Sequence, residues 1–436
     1  RRSSPPATPI RQAFPSFDRS LASLNRAVIT GAGIVSSLGN SLADVEGALR
    51  GARSGIARVP GWADLGLRCQ VAGVVQGAEE LAAAAGISRR ERLALSPGVL
   101  YCALAAGQAI ADAGLTAAEL AAPSTGCIVG TGIGSTGAVY LGGVEVHAGR
   151  ARRVDPYSVV KSMSSSASAA LVHRFGIGGR SYSISSACAT SAHAIGHATE
   201  LVRAGLLDIV VAGGGEEIDE LVAAAFGAMR TALATRFNDR PALACRPFAA
   251  DRDGLVLASG AGVVIIENRD RALARGARVR AEVAGFGANS DGFDLVLPEP
   301  SGARAAACMR LALADAGATP ADVDYVNAHA TGTPAGDRAE AAALRLLFGD
   351  QLAAISSTKS LGGHALGAAG AQEAIHCLLM LEGGFLAPSA NSEPRDPELA
   401  DLPVVTRARP ARLGLVLSNS FGFGGTHAVL ALRGAG

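Results

Sequence analysis

Cys188 stands in the run Tyr182-Ser-Ile-Ser-Ser-Ala-Cys-Ala-Thr-Ser-Ala-His193. A β-prone stretch, Tyr182 to Ser186, passes through small residues into an alanine-rich helical run that carries His193 and His197. A thiol at the start of a helix meets unpaired N–H groups and the positive end of the helix dipole, which favour thiolate over thiol. Small neighbours leave the sulfur open to an acyl group and free backbone donors for a developing oxyanion. The competing reading is a buried cysteine acting as a small hydrophobe.

Two further segments favour the nucleophile. Val326-Asn-Ala-His-Ala-Thr-Gly-Thr-Pro-Ala-Gly-Asp337 puts His329 just after the strand-like Val323 to Val326. Ser356-Ser-Thr-Lys-Ser-Leu-Gly-Gly-His-Ala-Leu-Gly-Ala-Ala-Gly370 carries Lys359 and His364. A lone loop histidine is most often a surface residue, but here two of only eight histidines fall in tight Gly/Ala/Thr-rich turns. One cysteine and two imidazoles make an acyl-transfer set, a nucleophile with two donors or bases. Lysine usage adds to this: of 39 Lys plus Arg, only Lys161 and Lys359 are lysines. A lysine kept five residues before His364 is expected to serve through its compact ammonium, which arginine does not imitate. Its candidate partners are Glu340 and Glu373; the alternative is an incidental solvated lysine.

These residues resemble the β-ketoacyl-[acyl-carrier-protein] synthases of the thiolase fold, and bacterial synthase I most of all. The resemblance runs from about Arg26 to about Arg433 and is carried by Ser-Ala-Cys-Ala-Thr-Ser at 186–191, Ala-Gly-Gly-Gly-Glu-Glu at 212–217 and Arg-Asp-Gly at 252–254. The two histidine turns and Asn-Ser-Phe-Gly-Phe-Gly-Gly-Thr at 419–426 complete the set. The resemblance implies that Cys188 takes an acyl chain as a thioester, with the N–H groups of Cys188 and Phe423 as oxyanion hole. It implies that His329 and His364 hold a malonyl thioester and stabilise the enolate left when carbon dioxide departs. Lys359, Glu373, Asp337 and Glu340 would support them, Phe423 would gate the acyl pocket, and Thr331, Thr333 and Leu255 would line the substrate site. An acyl carrier protein as partner, a homodimer and a cytoplasmic location follow from the same resemblance. So does a decarboxylative condensation in fatty acid biosynthesis, or alternatively in a polyketide or specialised lipid pathway. The chain departs from the family pattern at Leu255, Ala330, Gly332, Gly362 and His427, where Phe, Gly, Ser, Thr and Asn are common.

The elements that must position these groups read as α/β. The expected fold is thiolase-like, with duplicated α/β halves in a layered αβαβα arrangement. Ala-Asp-Ala-Gly at 111–114, a Thr-led turn and a strand ending in Gly-Thr-Gly recur about 200 residues later, from Ala314 to Ala-Thr-Gly at 330–332. The expected boundary is Asn268: a half over 26–268 supplies the cysteine, and a half over 269–436 supplies the histidines. Residues 1–25, Arg/Ser/Pro-rich and acid-poor, read as a disordered or tag-like extension.

Composition limits the alternatives. A net charge of +1 gives no electrostatic case for nucleic acid. Clusters such as Arg89, Arg90 and Arg92, or Arg150, Arg152 and Arg153, are solvated faces or a landing for an acidic carrier protein. No run approaches the roughly 18 apolar residues of a membrane span. The seven cysteines are scattered without a CxxC pair, so neither a zinc site nor a disulfide framework is expected. No metal and no cofactor are expected. His193 and His197 share a helix face but lack a third ligand. Gly132-Ile-Gly-Ser-Thr-Gly137 matches a dinucleotide-binding pattern, as Thr30-Gly-Ala-Gly33, read as a strand running into a glycine turn, begins to. The acidic residue that should follow is Asp155, but Pro156 comes next and no strand precedes it, which counts against an NAD-dependent oxidoreductase. A non-catalytic partner subunit would not need Cys188, His329 and His364 together.

Overall fold

A computed structural model describes residues 25–229 and 232–435. The extension expected over 1–25 lies outside the described residues except for Asn25. Ten strands make the main sheet: β1 (Ala27–Ser36), β2 (Thr125–Gly130), β3 (Ser181–Tyr182), β4 (Ile209–Glu216), β5 (Gly260–Asn268), β6 (Ala281–Ser290), β7 (Tyr325–Asn327), β8 (Ala354–Ser356), β9 (Leu415–Gly422) and β10 (Thr426–Gly434). Their spatial order is β8-β7-β9-β10-β6-β1-β5-β4-β2-β3. This is one five-strand pattern used twice, since adding five to each label of β3-β2-β4-β5-β1 gives β8-β7-β9-β10-β6. The pairings repeat too. β2 is parallel to β3 and β4, while β4–β5 and β5–β1 are antiparallel. Likewise β7 is parallel to β8 and β9, while β9–β10 and β10–β6 are antiparallel. The halves meet through Val28 opposite Glu282 and Ile29 opposite Ala281.

Eight helices matter for the site: α1 (Pro97–Ala113), α2 (Thr136–His147), α3 (Ser158–Ser162), α4 (Ser166–Phe175), α5 (Thr190–Arg203), α6 (Ala303–Asp315), α7 (Pro334–Phe348) and α8 (Ala369–Gly383). α5 and α8 pack on each other and on strands of both halves, forming a middle layer. α1 and α4 cover the outer face of the first half, and α6 backed by α7 covers that of the second. Five layers result, as expected. α8 is buried from Ala369 through Met380, which fits a helix apolar nearly all round. The two Ala-Asp-Ala-Gly echoes end α1 and α6, where Gly114 (φ 64°) and Gly317 (φ 59°) adopt the left-handed conformation that stops a helix.

Two local readings are corrected. Thr30-Gly-Ala-Gly33 is not a turn but lies inside β1, fully buried. Its glycines let α1 lie close to the sheet: a Cβ on Gly31 would fall 2.2 Å from the Ala109 carbonyl oxygen, and one on Gly33 would fall 2.0 Å from that of Ala105. The strand expected from Tyr182 to Ser186 ends at Tyr182. Side-chain hydroxyls take over beyond it, with Ser183 Oγ donating to the Val129 carbonyl at 2.6 Å and Thr190 Oγ1 accepting from the Ser186 N–H at 2.8 Å.

Candidate active site

Cys188 sits on a turn ahead of α5, not within the helix. Ala187 has φ 50°, a left-handed conformation that a residue with a Cβ adopts at a cost. Thr190 Oγ1 fixes the turn by also donating to the Ala187 carbonyl at 2.7 Å. The sulfur lies at a cavity of about 390 Å³ whose wall includes His329, His364, Phe423, Leu255, Thr331 and Thr333. The N–H groups of Phe423 and of Cys188 itself approach the sulfur. The thiolate expectation is corrected. Burial pushes the thiol up to about 12, although Lys359 and the Phe423 N–H pull the other way. Desolvation outweighs the dipole because the sulfur is enclosed on nearly all sides.

His329 and His364 come from different turns and meet edge to face, with ring centroids 5.2 Å apart at 88°. The Cys188 sulfur and one ring nitrogen of each histidine lie within 4.8 Å of one another. The His329 turn follows β7 and is clamped by Glu340 of α7. That carboxylate accepts from the N–H groups of His329 (2.9 Å) and Ala330 (2.7 Å) and from Asn419 Nδ2 (2.9 Å). The His364 turn is held through its backbone: His364 N–H donates to the Val256 carbonyl at 2.7 Å, and Ala258 N–H donates to the His364 carbonyl at 2.9 Å. Burial first, then the nearby Lys359 charge, holds both imidazoles well below their usual range. They are neutral at physiological pH. A neutral imidazole donates a hydrogen bond without bringing a net charge into the cavity.

Lys359 is buried and paired with Glu373 on α8. Of its two candidate partners, Glu373 is in contact and Glu340 acts on it through space. Burial raises Glu373 to about 7 against the pull of Lys359. Asp337 stands further back. It accepts from the N–H groups of Phe248 (2.9 Å) and Gly332 (3.1 Å) and receives Arg252 Nε at 3.2 Å. It therefore braces the Arg-Asp-Gly segment against the His329 turn rather than touching the cavity. Thr331 and Thr333 bond each other at 3.1 Å between hydroxyls. Phe423 stacks on Phe226, with centroids 5.9 Å apart at 25°. Gly424 and Gly425 beyond it have φ of 80° and 70°, a run of left-handed backbone that only glycine adopts without strain.

The sequence reading missed two residues. Glu216, in the 212–217 motif, is 1% exposed and accepts from the N–H groups of Gly132 (2.8 Å), Ile133 (3.3 Å) and Gly367 (3.0 Å). It ties the loop after β2 to the turn after His364, across the shoulder of Cys188. Those contacts also occupy the N–H groups of Gly132 and Ile133, at the head of the dinucleotide-like pattern. His376 lies one turn beyond Glu373, with Nδ1 at 3.0 Å from Thr358 Oγ1, and burial holds it down to about 3. Its spacing from Glu373 was the available signal. His193 and His197 pack locally, against Ser186 Oγ (2.8 Å) and the Tyr182 hydroxyl (2.9 Å). His427 meets Phe421 edge to face, with centroids 4.8 Å apart at 66°, and its Nδ1 lies 2.9 Å from Asn289 Oδ1. Among the described residues no helix is long and apolar enough to cross a membrane.

Comparison with known proteins agrees with this geometry. Residues 25–272 match the family model "Beta-ketoacyl synthase, N-terminal domain", and residues 280–393 match "Beta-ketoacyl synthase, C-terminal domain". The chain is 48% identical to 3-oxoacyl-[acyl-carrier-protein] synthase 1 of Escherichia coli (strain K12), over 94% of this chain and 99% of that protein. It superimposes on a β-ketoacyl synthase from Burkholderia phymatum STM815 with a TM-score of 0.88 at 35% identity, covering 95% of this chain and 100% of the other. A type II PKS ketosynthase in complex with its acyl-carrier protein and bound to the hexaketide gives a TM-score of 0.85 at 27% identity, over 95% and 100% of the two chains.

Proposed function

The chain belongs to the β-ketoacyl synthase family, and on that premise we propose that it condenses an acyl thioester with malonyl-[acyl-carrier-protein], releasing carbon dioxide and 3-oxoacyl-[acyl-carrier-protein]. The observation that carries this reading is the convergence of one cysteine and two neutral histidines within 4.8 Å at one cavity. Cys188 attacks the acyl thioester, and its proton leaves with the carrier thiol. The tetrahedral oxyanion is met by the N–H groups of Cys188 and Phe423. A malonyl thioester then places its carbonyl oxygen between His329 and His364. The bond to the carboxylate breaks, carbon dioxide departs, and the electron pair becomes an enolate that the two imidazoles stabilise. This stabilisation exists only once charge has formed, so it lowers the barrier rather than merely tightening binding. The carbanion attacks the acyl-cysteine carbonyl, and collapse of the adduct expels the Cys188 thiolate, which regains a proton.

Fatty acid elongation is the reading that the relationship to synthase 1 of Escherichia coli supports. The carrier protein is the partner, and the exposed Arg150, Arg152 and Arg153 suit an acidic one. We read the two five-strand units as halves dividing at Asn268, a cytoplasmic setting as the one where such carriers meet the enzyme, and the working form as a homodimer. For the dimer, α2 has no buried residue and exposes Val139, Tyr140, Leu141, Val144 and Val146. Val159 and Val160 of α3 lie exposed as well, and β3 is an open sheet edge. A second copy that covers this face would flank the Glu216-held loop beside Cys188. The test incubates enzyme with malonyl-carrier protein and acyl-carrier proteins of graded length, products being read by mass. No 3-oxoacyl product at any length would overturn the reaction. Light scattering that shows a fully active monomer would overturn the dimer.

A further inference from the structure

We propose that Cys188, His329 and His364 together form a binding site for a thiophilic divalent cation, zinc fitting best, which competes with the acyl chain for the sulfur. The sequence argued against zinc because no two cysteines stand at ligand spacing. The fold instead gathers one sulfur and two ring nitrogens from three separate turns to within 4.8 Å of one another. Bonds of about 2.3 Å to sulfur and about 2.0 Å to nitrogen set tetrahedral ligands about 3.5 Å apart. No pair of donors therefore has to close by much more than about 1 Å, a matter of side-chain rotation.

The donor set selects the ion. One thiol and two imidazoles suit zinc, cadmium or cobalt(II), whereas magnesium and calcium need oxygen ligands that the trio does not offer. Nδ1 of each imidazole is buried without a hydrogen-bond partner among the described residues, so no partner pins either ring to one tautomer and each can turn a lone pair to a metal. Binding breaks the S–H bond of Cys188, and its proton passes to solvent as the thiolate bonds to the metal. Lys359, whose charge reaches all three groups, is paired with Glu373. The cavity beside the sulfur leaves room for water as a fourth ligand. A metal held there ties up all three groups at once, so acylation of Cys188 and decarboxylation at the histidines stop together. The site stands on geometry alone, whatever reaction the cavity runs.

Cobalt(II) titration of the whole enzyme should give one tight equivalent with a thiolate-to-metal charge-transfer band. Cys188→Ala should lose that band, and His364→Ala should weaken cobalt binding by about 100-fold, the upper end of what even a supporting residue costs. Because either variant could misfold, a second measurement uses the unaltered enzyme. Zinc should slow iodoacetamide labelling of Cys188 by about tenfold or more, and a chelator should restore it. A cobalt spectrum unchanged in Cys188→Ala, or Cys188 labelling unaffected by saturating zinc, would overturn the site.

Discussion

The nucleophile and the His329–Lys359 side of the cavity are held in opposite ways. Cys188 owes its place to backbone: a left-handed Ala187, a threonine hydroxyl spanning the turn, and N–H groups aimed at the sulfur. His329 and the Lys359 segment owe theirs to buried side chains, Glu340 under one and Glu373 under the other. The first arrangement stores strain but buries no charge. The second buries a carboxylate beneath each, and those carboxylates are stable only while their donors remain. Damage to the two regions should therefore look different: altered chemistry with little loss of stability at the cysteine, and loss of both at the histidine side.

The largest effect separates the half-reactions. Cys188→Ala should lower condensation by about 10⁴-fold or more while malonyl decarboxylation, followed as carbon dioxide release, persists. His329→Ala or His364→Ala should lower decarboxylation by about 10²–10³-fold, as expected for losing one enolate donor, and still accept acyl label on Cys188. Histidine variants that decarboxylate at the normal rate would erase the division of labour. Next comes the buried pair. Lys359→Met should destabilise the fold by about 3–5 kcal/mol in urea, because Glu373 is left buried without its cation, and pairing it with Glu373→Leu should recover most of that. A loss no larger is expected at the clamp between the regions: Glu216→Ala orphans three N–H groups, about 1–3 kcal/mol each if left unpaired, but it also removes a carboxylate that burial disfavours, and it should slow condensation more than Cys188 acylation. A Glu216→Ala enzyme with unchanged stability would show that those groups find other partners.

A pH profile sharpens the comparison on the cysteine side. A thiol raised to about 12 carries little thiolate at neutral pH, so Cys188 alkylation should climb tenfold per unit through about pH 9 without a plateau. A plateau near pH 7 would mean that the helix start dominates after all.

What the sequence made legible follows the same divide. Lys359, His329 and His364 stand out by type, because a rare lysine and histidines among glycines need a chemical reason, and Glu373 follows as a candidate partner of the lysine. The duplicated fold was legible through its echo, since both Ala-Asp-Ala-Gly runs end the outer helix of their half. Glu216 was quoted within a motif yet given no role, because its partners are backbone N–H groups contributed by Gly132, Ile133 and Gly367, which no residue type reveals. The same holds for Gly31 and Gly33, which read as a turn until α1 is seen packed over them. The raised thiol was illegible because desolvation depends on what encloses the sulfur, and the cavity around it draws residues from Phe226 to His427.

The smallest effect tests the backbone account directly. Ala187 at φ 50° bears a penalty of about 1–2 kcal/mol for its Cβ in the left-handed region. Glycine removes that penalty but adds freedom to the unfolded chain worth about 0.4–1 kcal/mol. Ala187→Gly should therefore stabilise the protein by no more than about 1.5 kcal/mol in urea and leave condensation nearly unchanged. Ala187→Val should do the reverse, because a β-branched side chain is worse still at positive φ, and the strain would move the sulfur off the Phe423 N–H. The discriminating readout is condensation relative to carbon dioxide release: Val should lower the first and spare the second, since the histidine turns are braced independently by Glu340 and by the Val256–Ala258 backbone. If Ala187→Gly lowers condensation as much as a histidine variant does, the turn is held by contacts of the Ala187 methyl group, and strain is not what presents the sulfur.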